Sequence, residues 1–128
     1  MFPEKGLVGD SRSLVAADAL GIDGFDQVFT AQYLNDGGGF SAYVARRDSD
    51  EAARVMAATI RDFYLEYGGT PLDGPDGLSV IDILDTIEVI FHQGRYVIGV
   101  HEAPDKDTAL ALAGQIRQRL QEADDDGN

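Results

Sequence analysis

The sequence predicts an α+β fold: an antiparallel sheet built from two β-hairpins, with two long helices on one face of it. Three observations carry this reading. Alternating apolar runs flank Gln93-Gly94, a similar pair of runs flanks Asn35 to Gly38, and each pair is followed by a segment whose apolar residues recur at helical spacing. At 128 residues the chain falls within the range of one domain, and a hydrophobic content of 44% suffices for a core. A single domain is expected over 1–123, with unit one at about 27–68, unit two at about 78–122, and a disordered acidic tail at 124–128.

The second hairpin is the clearer one. A turn at Gln93-Gly94 puts glycine where a positive φ is needed and pairs His92 with Arg95. Phe91 then lies opposite Tyr96, Val89 opposite Ile98 and Ile87 opposite Val100, so one face is wholly apolar. The other face is mixed and carries Glu88, Ile90, Arg95, Val97 and His101. In the first hairpin a four-residue loop over Asn35-Asp36-Gly37-Gly38 places Phe29 against Val44, Ala31 against Ala42 and Tyr33 against Phe40. A slip of one residue would bring Thr30 and Gln32 into that apolar row, which argues for this register.

Each hairpin leads into a helix. Asp48 to Glu51 supply capping side chains ahead of the stripe Ala53, Met56, Ala57, Ile60, Tyr64 and Tyr67, and Gly68-Gly69 ends it. Pro104-Asp105 precede the second stripe, Ala109, Leu112, Ala113, Ile116 and Leu120. A constant offset of 56 relates Phe40 to Tyr96, Val44 to Val100 and Ile60 to Ile116, which reads as an internal strand-strand-helix duplication. The first strands differ by 58, as a four-residue loop against a two-residue loop would require. Leu78 to Leu84 reads as an extra strand and Gly69 to Gly77 as a linker between the units. Ser11 to Leu20 reads as either a short helix or a partly extended run.

With 10 basic and 23 acidic residues the net charge is −13, which repels a phosphate backbone and disfavours nucleic acid and anionic membranes. No window is apolar enough for a membrane span, so no membrane insertion is expected and the chain reads as soluble. The start Met1 to Gly6 lacks the apolar stretch of a signal peptide and fits a piece cut from a longer protein. The absence of cysteine removes disulfides, thiolate metal sites and thiol nucleophiles.

The remaining chemistry is sparse. His92 and His101 sit about 20 Å apart along the hairpin, too far to share a metal ion. No Gly-x-Ser-x-Gly elbow supplies a nucleophile. Asp23, Asp26, Asp36, Asp73 and Asp76 lie in glycine-rich loops without the ligand spacing of a calcium loop, and the glycine clusters lack the order of phosphate loops. No catalytic residue, metal site or cofactor is expected. Gly99, inside a strong strand, leaves a flat spot on the mixed face: either a bulge, the preferred reading, or a close approach by an aromatic group or another segment.

The strand Gly94-Arg95-Tyr96-Val97-Ile98-Gly99-Val100, together with Phe2-Pro3, Ala19-Leu20-Gly21 and Ala42-Tyr43-Val44, resembles a family of uncharacterised bacterial domains of unknown function. The resemblance implies an exported protein and brings no activity or catalytic residues. From the residues themselves, the expected function is a non-catalytic binding or protein-interaction module, meeting a protein partner or a second copy through the mixed sheet face. Its candidate residues are Tyr43, Glu88, Ile90, Arg95, Val97 and His101. The alternative is a small-molecule-binding protein or small enzyme with a pocket near Glu88, Arg95 and His101.

Overall fold

The computed structural model describes residues 7–8, 13–15, 22, 25–35, 38–75 and 77–126. Seven strands form one antiparallel sheet: β1 (Ser13–Val15), β2 (Val28–Asn35), β3 (Gly38–Arg46), β4 (Thr70–Leu72), β5 (Ser79–Ile83), β6 (Thr86–Gln93) and β7 (Tyr96–Ala103). Helix α1 (Asp50–Glu66) follows β3 and α2 (Lys106–Asp126) follows β7. The sheet order is β1-β2-β3-β7-β6-β5-β4, so the last strands of the two halves meet at its centre. The α+β class therefore holds, on a wider sheet than two hairpins.

The helices lie on opposite faces, where the sequence suggested one shared face. Ala109, Leu112, Ala113, Ile116 and Leu120 of α2 pack on Tyr33, Phe40, Val44, Val89, Phe91, Ile98 and Val100. Ala53, Ala57, Ile60 and Tyr64 of α1 pack on the reverse side, against Val28, Tyr43, Ala45, Ile81, Ile90 and Val97. The reason is the composition of the central strands: both faces of β3, β6 and β7 are apolar, and each exposed apolar face needs a cover. This placement gives the proposed repeat no support. A two-fold axis relating two adjacent antiparallel strands stands normal to the sheet, so it would leave both helices on the same side.

The first hairpin keeps its expected register, with Phe29 opposite Val44, Ala31 opposite Ala42 and Tyr33 opposite Phe40. Asn35 pairs with Gly38, whose φ is 122°, so the loop is two residues long rather than four and the loop-length account of the offset falls. The second hairpin is shifted by two residues: Gln93 pairs with Tyr96, Phe91 with Ile98 and Val89 with Val100. The turn residues are Gly94, at φ 57°, and Arg95. A shift of two preserves the strand's parity, so every side chain stays on its expected face. Phe29 is a correction of another kind, since it lies at the sheet margin and is exposed rather than buried.

Local signals behaved as capping chemistry requires. The Ser49 Oγ accepts the Ala52 N–H at 3.0 Å, and Asp50 and Glu51 occupy the first turn of α1. Asp105 Oδ1 accepts the Thr108 N–H at 2.7 Å at the start of α2, which holds the Asp105 carboxyl below its ordinary value. The Gly69 to Gly77 linker contains β4, and its Pro71 is tolerated because β4 is an edge strand. Of Ser11 to Leu20, residues 13–15 form β1, and the rest of that segment lies outside the described residues. Helix α2 continues through Asp126, so 124–126 are helical where a disordered tail was expected; Gly127 and Asn128 lie outside the described residues.

Candidate functional site

The structure pairs Glu88 with His101, gathers Tyr43, Ile90 and Val97 in the core beneath α1, and leaves Arg95 apart. Tyr43, Glu88, Ile90 and Val97 are all buried, because α1 lies on the mixed face that was expected to stand open. Arg95 is exposed in the β6–β7 turn, about 20 Å along the strand from His101. Arg95 therefore stands apart from the Glu88–His101 pair.

Glu88 and His101 instead form the heart of a polar cluster beneath the end of α1. The β6–β7 ladder bulges between Ile87 and Val89, and Glu102 adopts φ 59°. That conformation directs the Glu102 N–H onto Glu88 Oε2 at 2.6 Å, while Glu88 Oε1 accepts from His101 Nδ1 at 2.7 Å. The Tyr64 hydroxyl stands 3.2 Å from His101 Nδ1, and His101 Nε2 lies 3.0 Å from Glu102 Oε1. Glu88 is the buried charge among the described residues, at 1% exposure, and three elements converge on it: α1, β6 and β7. A bulge was expected at Gly99; it falls at Glu88 instead, and Gly99 is covered by the Tyr43 ring, the close aromatic approach that was the other reading.

The electrostatics follow from this burial. Desolvation raises the Tyr64 hydroxyl well above its ordinary value, with Glu88 adding to the effect. For His101, desolvation alone would lower the pKa, but the hydrogen bond and charge of Glu88, with Glu102 on the second nitrogen, outweigh it and raise the pKa. A raised folded-state pKa means that the native protein binds the proton more tightly than the unfolded chain. The resulting stability is complete below the unfolded value, about 6.5, and is lost as pH rises through the folded value. The urea midpoint should therefore fall as pH is raised above neutrality, and His101→Gln should flatten that slope. A wild-type midpoint that rises or stays level over that range would count against the His101–Glu88 pair.

A separate concavity lies along the middle of α1. Helix residues Arg54, Ala57, Ala58 and Arg61 form one wall, β6 supplies Ile90, Phe91 and His92, and Gly77 to Ser79 close the third side. Its volume is about 370 Å³. The groove exists because β5 begins at Ser79, opposite Ile90, so Phe91 to Gln93 run past it with no β5 neighbour. Ile90 is the candidate residue from the sequence that lines it. Arg54, Arg61, Ser79 and His92 were missed; the available signal was two arginines seven residues apart on one helix, in a chain with 10 cations. Arg54 donates to Glu51 through Nε and Nη2, and Arg61 donates to Asp62 through Nε, with its Nη2 in ion-pair contact with the same oxygen. Arg54 holds the Glu51 carboxyl below its ordinary value, with His92 contributing, so these charges sense one another.

Among the described residues there is no group of three or more side chains arranged to hold a metal ion, and no helix long and apolar enough to cross a membrane. Comparison with protein-family models, with curated proteins and with solved structures finds no match.

Proposed function

We propose that the chain is a non-catalytic binding module whose ligand site is the groove between α1 and the β5–β6 margin. The cavity carries this reading: about 370 Å³ is within the range of small-ligand sites, roughly 300–1,000 Å³. Its floor is rigid, since Ile90 and Phe91 are buried strand residues, and the small side chains of Ala57 and Ala58 keep the helix wall low. The mixed sheet face cannot serve as the interface while α1 covers it, which moves the binding surface to the margin of that helix. The polar cluster is separate from this site: Glu88, His101 and Tyr64 are held to one another and none lines the groove.

Amide chemical-shift mapping with a library of neutral and charged fragments should move Ala57, Ala58, Ser79 and His92. Ala58→Phe, which fills the groove from a partly exposed helix position, should suppress those shifts without lowering the melting temperature appreciably. Hits that map to another surface, and that persist in Ala58→Phe, would overturn the assignment.

A further inference from the structure

We infer that the groove takes a small, elongated dianion: two acidic groups held by Arg54 and Arg61, and an apolar middle lying on Ala57, Ala58 and Ile90. This rests on the groove being the ligand site. The chain carries 23 acidic side chains against 10 basic ones, so a concavity picked at random should be lined by carboxylates. Among the described residues this one has none: its charged lining consists of Arg54 and Arg61, with the imidazole of His92 between strand and helix.

Geometry then sets the shape. Positions 54 and 61 are seven residues apart, about 10.5 Å along a helix axis and near enough to two full turns that both side chains leave the same face. A single oxyanion cannot satisfy two guanidinium groups at that separation as well as one with an acidic group at each end can. Between them the helix presents only Ala57 and Ala58, and across the groove Ile90 is apolar and buried, so the stretch between the cations is lined by small and apolar side chains. Glu51 and Asp62 are not part of its lining, although each is paired with one of the two arginines. Each takes the Nε and Nη2 side of its arginine, which orients the planar group and leaves the two Nη1–H donors for a ligand oxygen. In a protein of net charge −13 such a site also selects by exclusion, since an anion is repelled from the rest of the surface and is stabilised here by charge-assisted hydrogen bonds.

The test uses a matched pair of probes, octanedioate and 1,8-octanediol, which share an apolar chain and differ in end-group charge. Titrated into the whole chain and followed by amide shifts, octanedioate should perturb Ala57, Ala58 and His92 and saturate, whereas the diol should bind about ten-fold more weakly or not at all. Arg54→Gln and Arg61→Gln should each weaken octanedioate by about ten-fold with unchanged melting temperatures, while Arg119→Gln, on α2, should leave it unaltered. Equal shifts from diol and dianion would overturn the dianion inference and leave the groove as a neutral-ligand site. No shift from either probe, with fragments still mapping to the groove, would also overturn it alone; fragments mapping elsewhere would remove the groove assignment as well.

Discussion

Glu88→Ala should destabilise the fold by about 3–5 kcal/mol, the range for removing one member of a buried charged pair. The carboxylate is 1% exposed and accepts the His101 Nδ1–H and the Glu102 N–H, at 2.7 and 2.6 Å, and lies next to the Tyr64 hydroxyl. Truncation leaves these donors facing a methyl group and a void, and an unmet buried donor costs more than a made hydrogen bond contributes. His101 has partial access to water, so its imidazole can rehydrate; the Tyr64 hydroxyl is held in the core. Damage should therefore concentrate where α1 meets the sheet, read as faster amide exchange over the last two turns of α1. Glu88→Gln keeps the shape and one acceptor, so it should cost less but should reduce the pH slope attributed to His101, leaving the part that Glu102 supplies. A urea-derived loss below about 1 kcal/mol for Glu88→Ala, in the range of ordinary surface substitutions, would show that the cluster does not hold the helix.

Both hairpins, both helices and the β5 strand were legible because each rests on local chemistry: alternation, capping side chains and glycines at turns. The faces of the second hairpin survived even a register error of two residues, since parity alone decides the face. The side on which α1 would land was not legible from its own stripe, which marks a helix as amphipathic without naming its partner surface. The clue lay in the strands. Val89-Ile90-Phe91 and Tyr96-Val97-Ile98 are unbroken apolar runs, and a strand of an antiparallel sheet with one wet face would alternate instead. Reading Ile90 and Val97 as an uncovered patch placed the interface where α1 in fact lies. The groove was less legible still. It depends on where β5 stops relative to β6 and on which helix face turns toward that gap, and both are settled by tertiary packing.

Gly99→Ala should cost about 3 kcal/mol, at the upper end for overpacking, although alanine is otherwise the mildest change available. Gly99 occupies the central strand β7 with Tyr43 on one neighbour and Ile90 on the other. A Cβ at this position would fall inside the Tyr43 ring, overlapping Cζ and the hydroxyl oxygen. The ring has nowhere to go: Tyr43 is 1% exposed, and Phe25 meets it edge to face with ring centroids 5.5 Å apart. Two further variants separate this clash from a general dislike of side chains at 99. Tyr43→Leu shortens the obstructing group, so it should recover part of the loss in the double variant, with a coupling of about 1 kcal/mol or more. Tyr43→Phe keeps the obstruction, and by itself should be neutral or stabilising, because the buried Tyr43 hydroxyl has no hydrogen-bond partner among the described residues. If Gly99→Ala were tolerated, or if Tyr43→Leu failed to relieve it, the ring could not be lying across the bare backbone of β7. Since that ring fills the space between β3 and α1 beside Glu88, the packing that positions the whole α1 face would then need a different origin.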